Sequence, residues 1–304
     1  MQTGKNIMFK IYRVALLGLL PLGLSLPAAA RDCGPDALGV SRTIEIGPKG
    51  TALGLQSYPR TLDLEDHEVV LTFDDGPAAP TAKVLDALAA QCARATFFII
   101  GRNAEETPEL VKRAAAEGHT IGSHSYSHPA ATLRFLDDGD AKADVEKGIK
   151  AVGRASGGKA AAFFRFPGFA DTPELIAWLE GRGYTIFGSD VWASDWSPMS
   201  PKGELDLVMG RLEKVGKGIV LFHDSKLQTA QMLPDFLKAL KARGYRLVHV
   251  VPGEGETPIA AAGPDWTSTT EPIIAKTLAG KKKLAPHAPE ADSGAQPHVH
   301  PGEQ

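Results

Sequence analysis

Only two cysteines occur in the 304 residues, Cys33 and Cys92. Two thiols cannot build a cysteine-rich metal site or a disulfide framework. They can pair with each other in an oxidising compartment, or Cys92 can stand as a small buried residue before an apolar run. Positive charge is not in excess either: 33 Lys and Arg face 36 Asp and Glu, a formal charge of -3. Such a chain has no general electrostatic attraction for nucleic acid. No Gly-x-Gly-x-x-Gly follows the first predicted βα strand, so the dinucleotide signature is missing. No Gly-x-Ser-x-Gly elbow follows a strand, which weighs against serine-based acyl transfer. The apolar run from Val14 to Leu26 holds Pro21 and is too short for a membrane span.

That run reads instead as the middle of a signal peptide over residues 1–30. Lys5, Lys10 and Arg13 precede it, and Ala28-Ala29-Ala30 offers a small-residue cleavage site. Removing the three basic residues takes the formal charge from -3 to -6. The expectation is an exported monomer, periplasmic or extracellular, with no stable membrane insertion after cleavage.

The hydrophobic content of 43% suffices for a sizeable core. Residues 31–68 read as a lead-in with a strand near Ser41 to Ile46. From residue 69 onward, strand-like and helix-like stretches alternate. Strands are expected at 69–73, 95–100, 119–121, 162–166, 184–188, 218–222 and 245–250. Helices are expected at 81–91, 103–118, 139–153, 173–182, 204–215 and 230–243. Such alternation means a parallel sheet covered by helices. A closed barrel and an open doubly wound sheet fit equally well. Residues 253–304 are rich in Pro, Ala, Gly, Thr and Glu and are expected to be a disordered tail.

The polar clusters all follow predicted strands, where α/β folds gather their active sites. Val69-Val70-Leu71-Thr72-Phe73 runs into Asp74-Asp75-Gly76-Pro77. Adjacent carboxylates repel unless a cation or a base role separates their duties. After the third strand stand His124 and His128, four apart, a spacing that can grip one cation. A carboxylate from Asp75 or Asp74 supplies the third ligand. Arg165, between Phe164 and Phe166, needs a carboxylate partner if buried. Asp190, Trp192, Asp195 and Trp196 form a loop in which indole faces suit sugar faces. His223 ends the sixth strand with a pKa suited to proton transfer. Assembled, these parts make a hydrolytic site. Asp75, His124 and His128 hold a divalent metal, Asp74 takes a proton from water, and His223 gives one to a leaving nitrogen.

From about residue 39 to 251 the chain resembles the polysaccharide deacetylases, carbohydrate esterase family 4. The resemblance rests on Thr72-Phe73-Asp74-Asp75-Gly76, on His124 to His128, on Asp190 to Trp196 and on Leu221 to Asp224. It implies a distorted seven-stranded (β/α) barrel. It implies Asp74 as base, and Asp75, His124 and His128 as ligands to a divalent metal: Zn2+, with Co2+, Ni2+ or Mn2+ as substitutes. Arg165 should brace Asp74. An acid of the fourth motif, Asp195 ahead of Asp190, should tune His223. Leu221 should line the acetyl pocket, and Trp192, Trp196, Phe166 and Pro167 the groove. One motif departs: Arg165-Phe166-Pro167-Gly168-Phe169 has the family's aromatic and glycine exchanged. The implied activity is removal of N-acetyl groups from glycans such as chitin oligomers, peptidoglycan or a secreted polysaccharide. The alternatives are an O-acetyl glycan esterase and a glycan-binding protein that has lost its chemistry.

Overall fold

The computed structural model describes Met1, residues 34–129 and residues 132–279. Residues 2–33, with Cys33 and nearly all of the stretch expected to be a signal peptide, lie outside the described residues; Cys92 is disulfide-bonded. The strands in chain order are β1 (Arg42–Ile46), β2 (Ala52–Leu53), β3 (Arg60–Leu62), β4 (Glu68–Asp74), β5 (Thr96–Ile99), β6 (Thr120–Ser123), β7 (Ala160–Phe164), β8 (Thr185–Phe187), β9 (Val191–Trp192), β10 (Gly218–His223), β11 (Arg246–Pro252) and β12 (Ile259–Ala261). The helices are α1 (Thr81–Ala90), α2 (Gly101–Glu106), α3 (Pro108–Ala116), α4 (Asp138–Ala155), α5 (Pro173–Glu180), α6 (Pro201–Val215), α7 (Leu227–Ala242) and α8 (Thr270–Ala279). None of the described helices is long and apolar enough to cross a membrane.

Every residue of β4 is buried, and its side chains alternate between two cores. Val69, Leu71 and Phe73 face the helices, with Phe97, Ile99, Val220 and Phe222 beside them. Val70 faces the barrel interior with Phe98, Phe163, Phe187 and Ile219. Burial on both faces explains the unbroken apolar runs of these strands. β4 pairs in parallel with β5, β10 and β11, and the parallel ladder continues β5–β6–β7–β8. β9 pairs with β10. The ring closes where the chain bends from β8 through residues 188–190 into β9. This is the distorted (β/α) barrel, and all seven expected strands are in it or feed it. β1 pairs with β11 and sends Ile44 and Ile46 into the barrel interior beside Val248 and Val250.

Two expectations fail locally. The helix expected over 103–118 is two helices, because Pro108 starts α3 and forces Thr107 out of helical geometry (φ -135°). The tail expected over 253–304 is ordered as far as residue 279. β12 pairs antiparallel with β3, and α8 follows. Trp266 Nε1 donates to Leu55 O (2.7 Å), and Thr269 N donates to Gln56 O (2.8 Å). A composition poor in large apolar residues hid a segment that is held by a few well-placed anchors on the barrel. Residues 280–304 lie outside the described residues.

His119 and His249 are buried and neutral. His119 Nδ1 accepts from Ala95 N (3.2 Å), and His249 Nε2 donates to Thr120 Oγ1 (3.0 Å), whose hydroxyl donates to Val250 O. Burial, then the charge of Arg94, pushes His119 down to about 3 and His249 down to about 4. Below the unfolded histidine value of about 6.5, the unfolded chain takes these protons and the folded chain does not. Stability should therefore fall as pH drops from 6.5 toward 4. Melts at stepped pH should show this fall, and H249Q should flatten it by roughly 1.4 kcal/mol per pH unit.

Candidate metal and acid–base site

Strand ends bring the site together. Asp74 closes β4, His124 follows β6, Arg165 follows β7 and His223 closes β10. Parallel strands place all four at one end of the barrel. His223 and Asp74 are direct neighbours across the β10–β4 ladder.

Asp75 sits in the left-handed region (φ 71°), a conformation aspartate tolerates better than most residues. Its Oδ1 lies 3.5 Å from His124 Nε2 and 3.3 Å from His128 Nε2. That buried Oδ1 has no hydrogen-bond partner among the described residues. His124 Nδ1 lies 2.7 Å from the carbonyl oxygen of Arg165. A carbonyl only accepts, so Nδ1 carries the proton and Nε2 turns a lone pair toward Asp75. Burial, then His128, pushes His124 down to about 3 and keeps it neutral. His128 Nε2 faces the same oxygen, and one ligand atom from each of Asp75, His124 and His128 lies within 4.8 Å of the others, an arrangement that fits a divalent cation.

The loop between the two histidines is held from outside. Asp144 of α4 accepts from Tyr126 N (2.9 Å) and Ser127 N (3.3 Å), and Ser125 Oγ accepts from His128 N (3.0 Å). Gly148, one turn further along α4, lies against the same loop: a Cβ there would sit 2.4 Å from Ser125 C. Sequence reading missed both Asp144 and Gly148. A helix-borne acid and a mid-helix glycine carry no local signal of what they touch.

Arg165 is fully buried and spends its donors on four partners. Nη1 donates to Asp74 Oδ1 (2.8 Å) and Thr72 Oγ1 (2.8 Å), Nη2 to Gly188 O (2.7 Å) and Nε to Phe187 O (3.0 Å). The Asp74 carboxyl is thereby immobilised, with Oδ2 3.9 Å from His124 Nε2. Burial pushes Asp74 above the usual carboxylate value, and Arg165 partly opposes it. The shift favours proton acceptance near neutrality.

His223 Nδ1 lies 2.7 Å from Asp195 Oδ1, and its backbone N donates to Asp195 Oδ2 (2.6 Å). Burial lowers its pKa, but the Asp195 hydrogen bond and charge overcome that and carry it up to about 9. Asp190 does not reach His223. It accepts from Leu55 N, Ile219 N and Thr61 Oγ1 and ties the lead-in to the barrel.

A cavity of about 390 Å³ opens above these groups. Asp74, Asp75, His124, His128 and His223 line it together with Phe166, Leu221, Trp192 and Trp196. Pro167 is buried and does not line it; Phe169 does. Gly168 and Phe169 both take left-handed φ (60° and 56°), and this turns the Phe169 ring onto Trp192 (centroids 6.1 Å, 18°). Trp196, 48% exposed, stands edge-on to Trp192 and His223. The unexpected α8 also contributes to the lining, through Thr270, Ile273 and Ile274. Arg134 secures that helix by pairing with both Glu271 (2.8 Å) and Asp171 (3.3 Å).

Residues 61–187 match the polysaccharide deacetylase family. A chitin deacetylase of Colletotrichum lindemuthianum is 32% identical over 206 residues, 62% of this chain and 80% of the fungal one. The chain belongs to the polysaccharide deacetylase family. A peptidoglycan-N-acetylglucosamine deacetylase of Bacillus cereus is 34% identical over 186 residues, 60% of this chain. The match spans 66% of that enzyme's length. Among solved structures, a peptidoglycan deacetylase of Bdellovibrio bacteriovorus superposes with TM-score 0.63 at 32% identity. It covers 77% of this chain and 63% of that one. Family membership accounts for the barrel.

Proposed function

We propose that this chain is a metal-dependent deacetylase that removes N-acetyl groups from an N-acetylated glycan. The observation that carries the reading is a buried base and a half-buried acid that both border one ligand cluster. Asp74 and His223 are ladder neighbours; Asp74 Oδ2 lies 3.9 Å from His124 Nε2, and His223 Nε2 lies 3.9 Å from Asp75 Oδ2. Zn2+ is the ion best suited to two imidazoles and a carboxylate, and when bound it polarises a carbonyl and acidifies water. Asp74, clamped by Arg165, takes the proton of the attacking water. A bond forms from the water oxygen to the acetyl carbon, and the carbon–nitrogen bond breaks. His223, held by Asp195, gives its proton to the departing nitrogen, so acetate and a free amine leave. Leu221 and Phe166 supply apolar surface for the methyl group, and Trp192 and Trp196 present faces to the sugar. The names of the relatives support N-acetylglucosamine-bearing polymers as substrate. The leader over residues 1–30 supports export, and with it a cell-wall or extracellular glycan.

Acetate release from chitin oligomers and peptidoglycan, with and without added zinc, tests this reading. H223A sharpens it. An amine is a poor leaving group unless protonated, whereas an activated alcohol leaves unaided. H223A should therefore lose roughly 10²- to 10⁴-fold in rate on an N-acetylated oligomer and much less on an activated acetyl ester, at unchanged metal content. Equal losses on both substrates in a folded variant would remove the acid role.

A further inference from the structure

Behind His223, away from the cavity, four side chains form one hydrogen-bonded chain. Asp195 receives His223 through both carboxylate oxygens. The Thr229 hydroxyl, in the first turn of α7, lies 2.8 Å from Asp195 Oδ2 and 2.9 Å from Glu204 Oε1 on α6. Asp195, Glu204 and Thr229 are 2%, 0% and 0% exposed, so these contacts are direct and shielded from bulk solvent.

A hydroxyl owns one proton and cannot donate to two carboxylates. Were both acids ionised, one of these contacts would set lone pair against lone pair in a dry interior, where that is most costly. One carboxyl must carry the proton. Asp195 already accepts two donors from His223 and lies against its imidazole. Among the described residues Glu204 has no ion-pair partner, and its Oε2 has no hydrogen-bond partner. Burial, then the charge of Asp195, pushes Glu204 up to about 7.

We propose that Glu204 is a neutral acid that positions the proton-donating arm of the site. Glu204 Oε1–H donates to Thr229 Oγ1, and the Thr229 hydroxyl donates to Asp195 Oδ2. Asp195 Oδ1 is then held toward His223 Nδ1. Glu204 touches no reacting atom; it acts through Thr229 and Asp195. Without its proton, the Thr229 hydroxyl is drawn toward Glu204 and Asp195 loses one of its anchors. The effect on rate rests on His223 acting as the acid; the proton on Glu204 does not.

Three variants of the full chain test the chain of contacts. E204Q keeps a donor beside Thr229, E204A removes it, and T229S keeps the hydroxyl. The infrared spectrum at neutral pH should contain the carbonyl stretch of a protonated carboxylic acid that E204Q lacks. The low-field proton resonance of His223 Nδ1–H should move in E204A and stay in place in E204Q and T229S. On an N-acetylated oligomer E204A should lose roughly tenfold in kcat at unchanged KM, with E204Q close to the wild type. No infrared band lost in E204Q, or an unmoved His223 resonance in E204A, overturns the proposal. If E204A does not fold, T229V against T229S reads the same link. A wild type that releases no acetate sinks the deacetylase reading, while the infrared and resonance measurements still decide the role of Glu204.

Discussion

His124→Ala should fold and fail to hold the metal. His124 supplies a lone pair at Nε2 only because its Nδ1 proton is committed to the carbonyl of Arg165. With it gone, Asp75 and His128 remain, and two ligands do not enclose a cation. Losing a mere outer partner of a ligand costs about 10- to 100-fold in affinity, so losing the ligand itself should cost more. Elemental analysis after dialysis reads this directly. A second reading needs no turnover: added zinc should raise the melting temperature of the wild type by mass action and leave that of H124A unmoved. Activity should vanish with the metal. Full metal occupancy in both H124A and H128A would sink the ligand assignment.

Asp74→Asn should behave in the opposite way, keeping the metal and losing the chemistry. Asparagine preserves the shape and offers its carbonyl to Arg165 Nη1, but it has no site for a proton taken from water. The rate should fall roughly 10²- to 10⁴-fold, the usual worth of a general base. The variant should also melt lower. Arg165 is buried and pairs with the Asp74 carboxylate at 2.8 Å, and a buried charge stripped of its counter-charge is destabilising. Metal content separates the two acids: D74N should retain it and D75N should not. The reverse pattern would exchange their roles.

The local pattern of the chain determined which elements exist and which end of the sheet carries polar groups. Seven apolar runs, the first six each followed by a turn and a helical stretch, read as parallel strands because burial on both faces leaves no alternation. Asp74, Asp75, Arg165 and His223 stood out because each interrupts or closes such a run, and His124 and His128 because they stand four apart just after one. Closure was not legible, since a barrel and an open sheet share one periodicity. Only the bend from β8 into the two-residue β9 decides it. The choice of Asp195 over Asp190 was likewise tertiary: both are buried acids in one loop, and only the packing of β10 shows which one faces His223. Asp144, Gly148, Thr229 and Glu204 lie on helices whose own periodicity explains their placement equally well without any contact to the site. The helix α8 was hidden by composition. Its order comes from the bond of Trp266 to Leu55 and the pairing of Glu271 with Arg134, partners 211 and 137 residues apart that meet only when the barrel has formed. Local sequence thus sets the strands, the turns and the types of side chain at their ends. Long-range contacts, which a sequence pattern does not encode position by position, set which of those side chains meet.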